Sequence, residues 1–182
     1  MFSRRCNSIG RIIDFKTTKE RTKKGVLNLQ TKVKGDISEA KALLEFQKRG
    51  IPVLIPWGDK ERYDMVIELN HTFYRVQVKT AGVESNGSLC CYARSSHNHT
   101  TNKRYYKYID QVDYFVFYNI ARDIIAIVPA QDIGDKSAIS LRIAPPRNNQ
   151  EKDIKYFSDY SFDKVLNIKV LYGESATEEK KD

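Results

Sequence analysis

Residues 63–81 read Y-D-M-V-I-E-L-N-H-T-F-Y-R-V-Q-V-K-T-A. Two hydrophobic runs flank a short polar turn, the pattern of a β-hairpin. With the turn centred on Asn70 and His71, Asp64 lies opposite Gln77, and Lys79 follows two residues along the same face. Met65, Ile67, Leu69, Tyr74, Val76 and Val78 then form an apolar face. Asp64, Glu68, Arg75, Gln77 and Lys79 fall on the other, mostly polar face. A slip of one residue exchanges the two faces and buries the charges, so the alternation specifies this register. The hairpin alone leaves two readings open: an amphipathic ribbon with its polar face in water, or a site in which an acid, an amide and a lysine meet.

Working outward, a helix signal begins at Asp36. This residue can cap the helix, and Glu39 three residues later completes a capping box. Ile37, Ala40, Leu43, Leu44 and Gln47 follow helical spacing, and Gly50 ends the helix. V-L-I-P after it reads as a strand, and W-G-D-K-E-R as a loop. Beyond the hairpin, residues 88–94 read as a strand and 95–102 as a polar loop. A short helix is expected from Lys103 to Ile109. D-Y-F-V-F-Y-N-I and D-I-I-A-I-V-P pair around Ala121–Arg122. S-L-R-I-A is a short strand, and P-P-R-N-N-Q opens a C-terminal helical region. This order of helices and strands implies an α/β domain with a mixed central sheet flanked by helices.

The chain has 182 residues and a net charge of +8. Residues 1–34 hold ten Lys and Arg against two acids, a net of +8, and the remainder is neutral. The basicity therefore belongs to an N-terminal arm, expected over residues 1–33 and suited to phosphate backbones. A single domain at 34–172 and a charged, disordered tail at 173–182 complete the organisation. No apolar run approaches the length of a membrane span, and the N-terminus lacks a secretory core. Cys6, Cys90 and Cys91 have no metal-ligand spacing and read as reduced thiols of an intracellular protein, cytoplasmic or organellar.

Three strings, G-D-I-S-E-A (35–40), R-G-I-P-V-L-I-P-W-G-D-K-E-R-Y-D (49–64) and Y-R-V-Q-V-K-T-A (74–81), together resemble the PD-(D/E)XK nuclease superfamily. The likeness is to group I intron-encoded homing endonucleases, near the Holliday junction resolvases. V-D-Y-F-V-F-Y and S-L-R-I-A-P-P-R-N-N-Q resemble the same group, and the likeness covers roughly residues 34–160. It implies a restriction-endonuclease-like core and a Mg²⁺-dependent phosphodiesterase site, with Mn²⁺ as a substitute. Asp64 matches the metal-binding aspartate, Gln77 the (D/E) position and Lys79 the motif lysine. Glu39 matches the first-helix acid of the resolvase-like branch. Asp64, Gln77 and Glu39 are the implied metal ligands. Gln77 departs from the pattern, since a carboxylate usually stands there.

The chemistry suits these residue types. Phosphodiester hydrolysis needs charge neutralised at phosphorus and an activated water. Mg²⁺ takes oxygen ligands and keeps several waters. Asp64 offers a charged oxygen and Gln77 a neutral one. Glu39 can bind the ion or one of its waters, and Lys79 can orient the attacking water. An amide in place of a carboxylate predicts weaker metal binding. Competing readings stand beside these. Glu39 fits a capping box without a catalytic task, and Asp59 is a second acid, placed as a turn former. Arg62 can contact a phosphate or balance Asp64 or Glu61. H-N-H at 97–99 is a tripeptide without the dispersed H-N-H nuclease pattern.

The resulting expectation is a metal-dependent DNA endonuclease, site-specific and intron-encoded. The alternatives are a Holliday junction resolvase using the same site, and an inactive DNA-binding protein in which Gln77 marks a lost site. The expected partner is double-stranded DNA. It is met by Arg4, Arg5, Arg11, Lys23, Lys24, Lys32, Lys34, Arg62, Arg94, Lys103, Arg104 and Lys107. Cutting two strands calls for two sites, hence a homodimer or homotetramer. No membrane and no small-molecule cofactor are expected.

Overall fold

The structure, a computed structural model, describes residues 29–58, 60–84, 87–99, 102–108, 110–144 and 153–168. Helix α1 spans Thr31–Gln47. It starts before Asp36, so Asp36 is an interior helical residue and the capping box does not form. Gln30 holds the N-cap position without a side-chain hydrogen bond. The earlier start has a tertiary cause. Ser38 Oγ donates to the Lys34 carbonyl at 2.8 Å and meets Thr80 Oγ1 at 2.8 Å. Thr80 Oγ1 donates to the same carbonyl at 3.2 Å. The turn ahead of Asp36 is thus pinned to a strand, and that anchor outweighs the capping signal. The buried stripe is Ser38, Ala42 and Phe46. It differs from the expected Leu43–Leu44 face, which stays exposed. Gly50 ends the helix as expected, at φ 66°, with the Ile51 amide returning to the Phe46 carbonyl at 3.1 Å.

Strand β1 (Val53–Leu54) is a short edge, followed by β2 (Met65–Leu69) and β3 (Thr72–Thr80). The β2–β3 register runs from Met65↔Val76 to Leu69↔Thr72, as the alternation requires. Asn70 and His71 both take left-handed φ, 50° and 62°, which is the two-residue type I′ turn. Next come β4 (Gly82–Val83), β5 (Ser88–Tyr92), β6 (Arg94–His99), β7 (Asn102–Lys107), β8 (Tyr114–Asn119) and β9 (Ile124–Pro129). The main sheet has the order β1-β2-β3-β8-β9. β3 and β8 are parallel and the other pairs antiparallel. The expected mixed sheet is present, and β8 pairs with β9 around Ala121–Arg122 as read.

Two expectations fail in the same segment. Residues 95–99 and 102–107, expected within a loop and a short helix, instead lie in β6 and β7, which pair as a separate two-stranded ribbon, Arg94↔Lys107 to His99↔Asn102. Both strands are polar, so neither carries the apolar alternation by which a strand is read. After β9 come a single helical turn α2 (Ala130–Ile133) and strand β10 (Ala138–Arg142). Residues 145–152, which hold P-P-R-N-N-Q, lie outside the described residues. The helical region that follows is a 3₁₀ turn, Phe157–Tyr160, and a short helix α3, Phe162–Leu166. The tail at 173–182 also lies outside the described residues, as does Cys6; Cys90 and Cys91 are free thiols. Among the described residues, no helix is long and apolar enough to cross a membrane.

The main sheet is covered on both faces. On one side α1 and α3 pack over Met65, Ile67, Val76, Val78, Val116 and Ile127. Phe46 and Phe162 meet edge-to-face there at 5.1 Å, and Arg49 Nε donates to Asp163 at 2.7 Å. On the other side the sheet β10-β5-β4 supplies Leu89, Cys91 and Leu141 against Phe115, Phe117 and Val128. β8 faces both cores, which accounts for its nearly continuous apolar run. The part of the hairpin's polar face that carries Gln77 is therefore not in water. Gln77 is only 6% exposed.

Candidate active site

The site forms where β2 begins and the second half of β3 runs beside it. The Asp64 amide donates to the Val76 carbonyl at 2.9 Å, which extends the hairpin ladder by one step. That step brings the Asp64 carboxylate to Gln77. Asp64 Oδ2 accepts from the Val78 amide at 2.7 Å and from the Gln77 side-chain amide. Gln77 Nε2 also donates to the Val78 carbonyl at 3.3 Å. Two acceptors on the nitrogen set the orientation of the amide. No described residue donates to Gln77 Oε1 or to Asp64 Oδ1. Burial pushes the Asp64 carboxyl above its ordinary range; the Val78 N–H and the Lys79 charge oppose this and do not cancel it.

Lys79 stands on the side of the second sheet. Its Nζ lies 5.2 Å from the centre of the Tyr108 ring, and the Arg62 guanidinium lies 5.7 Å from the same ring. Tyr108 is buried and packs edge-to-face on Phe115 at 5.5 Å. Phe115 is in turn the β8 partner of Gln77. One ring thus positions the lysine, the arginine and the strand that carries the amide. Tyr108 ends the string Y-Y-K-Y at 105–108, whose tyrosines the sequence offers either for packing on the sheet or for contact with nucleic acid.

Glu39 approaches from the opposite side, on α1. It lines a pocket of about 240 Å³ with Asp36, Ala40, Leu43, Ile55, Asp64 and Met65. Asp64, at the strand end, is reached from both layers. Asp36 is a second acid on this wall, three residues before Glu39 on one helical face. Its role as a supposed cap hid it. Gln77 and Lys79 do not line this pocket. A larger cavity, about 720 Å³, opens around Tyr74, Arg75, Asp113 and Tyr114, toward the other end of β3, and contains none of the four candidate residues. Arg75 is committed there to structure. Its Nε and Nη2 donate to Asp113 at 3.1 and 3.2 Å, and its Nη1 to the Asp110 carbonyl at 3.0 Å. Burial raises the Asp113 carboxyl, but the hydrogen bonds and charge of Arg75 outweigh it and hold it below the usual range.

The basic residues expected to meet DNA are dispersed. Lys32 and Lys34 belong to the first turn of α1. Arg94 opens β6 with its guanidinium 5.0 Å from the Tyr92 ring centre. Lys103, Arg104 and Lys107 fall on β7, their side chains outside the described part. Arg4, Arg5, Arg11, Lys23, Lys24 and the alternative acid Asp59 lie outside the described residues. Among the described residues, no three His, Cys, Asp or Glu side chains gather as a metal cluster. The donors at hand are all oxygens: the Asp64 carboxylate, the Gln77 amide oxygen, and the two acids across the pocket. That set fits a hard divalent cation that keeps much of its water, rather than a closed protein cage.

A family model described as PD-(D/E)XK endonuclease matches residues 29–163, from just before α1 into α3. The chain belongs to the PD-(D/E)XK endonuclease family. It is a nuclease, and nucleases of the PD-(D/E)XK family generally use divalent metal ions. Among solved structures, the bacterial homing endonuclease I-Ssp6803I is similar. It is 28% identical with a TM-score of 0.60, over 68% of this chain and 86% of that chain. No curated protein matches the sequence. Within the PD-(D/E)XK signature, Gln77-Val78-Lys79 has the spacing of (D/E)-X-K with an amide in the acid position.

Proposed function

We propose that this nuclease hydrolyses phosphodiester bonds of double-stranded DNA with Mg²⁺, or Mn²⁺ in its place, at the site formed by Asp64, Gln77, Lys79 and Glu39. The observation that carries the proposal is the hydrogen-bonded Asp64–Gln77 pair, set at a strand end beside Lys79 and facing a helix acid. Asp64 Oδ1 and Gln77 Oε1 would hold the ion, with Glu39 and Asp36 holding its waters. A bound divalent ion supplies charge neutralisation at the phosphate and acidifies a water. Lys79 places its charge beside the phosphate oxygens and orients the attacking water. The buried Gln77 amide keeps Oδ2 of Asp64 occupied and so leaves Oδ1 facing the phosphate.

The likeness to a homing endonuclease supports a site-specific enzyme. Double-strand cleavage calls for two such sites, and we assign this to a homodimer or homotetramer. A cleavage assay on a randomised duplex library with and without Mg²⁺ tests the reading. Metal-dependent cutting at a restricted set of sequences is expected, and Asp64→Asn should lower it at least about a hundredfold. Preferential cutting of four-way junctions would instead make the chain a resolvase. DNA binding without cutting in either metal would make Gln77 the mark of a lost site.

A further inference from the structure

The segment between β1 and Asp64 exposes apolar side chains beside the pocket. Ile55 is 62% exposed while lining the same pocket as Asp64 and Glu39. Trp57, two residues on, is fully exposed, and nothing among the described residues covers its indole. Gly58 follows it at φ +90°, a left-handed value that disfavours any side chain. The backbone turn that presents Trp57 therefore depends on a glycine at that position. An indole held out on a turn is a large apolar surface left in water.

We propose that Trp57, backed by Ile55, stacks against a base of the DNA next to the phosphate that is cleaved. This rests on the reading of the chain as a DNA endonuclease and adds the contact that seats the duplex. Two residues of chain span at most about 7 Å. Successive phosphates of one strand rise about 3.4 Å. Because Ile55 lines the pocket of Asp64, Trp57 reaches a base a few steps along the strand from the phosphate at Asp64. The loop itself, W-G-D-K-E-R, holds two cations and two acids and is neutral. It has no net charge with which to draw DNA, so the contact it offers is apolar. Base–aromatic stacking and apolar wedges are the recognised uses of such a side chain on nucleic acid. Arg62, five residues further on, is held over the same Tyr108 ring as Lys79.

Trp57 is the only tryptophan of the chain, so its emission reports this contact directly. The full chain is titrated with sheared mixed-sequence duplex DNA in EDTA, where no cleavage occurs. Binding is followed independently by gel shift and by the emission of Trp57. Saturable quenching that tracks the gel shift is expected. Trp57→Ala should weaken binding roughly tenfold or more. Its dependence on salt should stay unchanged, because stacking displaces no counterions. Trp57→Phe should recover part of the loss. Binding by gel shift with unchanged emission, or wild-type affinity in Trp57→Ala, would overturn the inference and leave the nuclease reading intact. Absence of any DNA binding would sink both. An emission change driven by protein concentration alone, with Trp57→Ala monomeric and wild type dimeric by sedimentation, would assign the surface to a second copy of the chain and overturn the proposal.

Discussion

Asp64 carries a conflict between folding and chemistry. Burial lifts its carboxyl above the ordinary value, so the folded chain holds that proton more tightly than the unfolded chain does. Its contribution favours folding below the ordinary carboxylate range and is lost as pH rises from there through the folded value. At neutral pH the ionised group destabilises the fold. Asp64→Asn keeps an oxygen to accept from Val78 and Gln77 while removing the charge. It should therefore melt higher than wild type at pH 7, by about 2–4 °C for each kcal/mol recovered, with the difference shrinking on acidification. A melting scan across pH that finds no gain at neutral pH would remove the conflict. Gln77→Glu makes the complementary case. Two carboxylates would then share one hydrogen-bonding contact, and like charges resist joint ionisation. The variant should be less stable than wild type in EDTA and gain more melting temperature from Mg²⁺. An equal Mg²⁺ response in the two proteins would argue against Gln77 as a ligand. Tyr108 tests the lysine. Tyr108→Phe keeps the ring and should keep activity. Tyr108→Leu should lower kcat by about twofold to thirtyfold, the equivalent of roughly 0.5–2 kcal/mol, with DNA affinity nearly constant. Equal losses in both variants, or a loss confined to affinity, would show that the ring does not position Lys79.

At the scale of elements, the β2–β3 hairpin is the part that its own residues specify. His71 adopts φ 62° without being glycine. A type I′ turn prefers glycine there, so His71→Gly should raise stability by up to about 1 kcal/mol in urea unfolding, with the m-value unchanged. A destabilised variant would mean that the His71–Glu68 contact, at 3.9 Å, matters more than the backbone. The hairpin was legible because turn and alternation act between near neighbours, and the Asp64–Gln77 pairing followed from it. Gly50 as a helix stop and the β8–β9 pairing were legible for the same reason. The start of α1 was not. Asp36 carries a good local signal, yet Ser38 binds Thr80 and draws the helix toward the N-terminus, and no pattern in either segment announces that contact. Asp36 was consequently read as a cap instead of a wall of the pocket. The β6–β7 ribbon was illegible because S-S-H-N-H and N-K-R-Y-Y-K do not alternate. Burial of Gln77 was hidden too, since a second sheet covers the face that a lone hairpin would leave wet.

For the whole molecule, charge is spread unevenly along the chain. Residues 1–28 hold eight Lys and Arg, whereas 35–182 are neutral overall. Removing residues 1–28 ends the chain just ahead of α1 and spares every hydrogen bond of the site described above. Affinity for DNA should fall, and the slope of log affinity against log salt should flatten by several units, up to about 0.9 for each phosphate that the shortened chain no longer neutralises. Filter binding at a series of salt concentrations measures both. An unchanged slope would exclude the segment from the DNA interface.

The parallel pairing of β3 with β8 has a consequence for how such a chain can diversify. A parallel neighbour obliges the strand leaving at Thr80 to travel back and re-enter at Tyr114 from the far end. About a dozen residues suffice for such a return. This chain uses residues 81–113, and the surplus forms β4, β5 and the β6–β7 ribbon. Within this excursion, Tyr108 lies against the lysine. The excursion is thus a module whose length and surface can drift over generations while the step from Asp64 to Gln77 stays in register. New binding preferences can be acquired there without rebuilding the strand that carries Gln77 and Lys79.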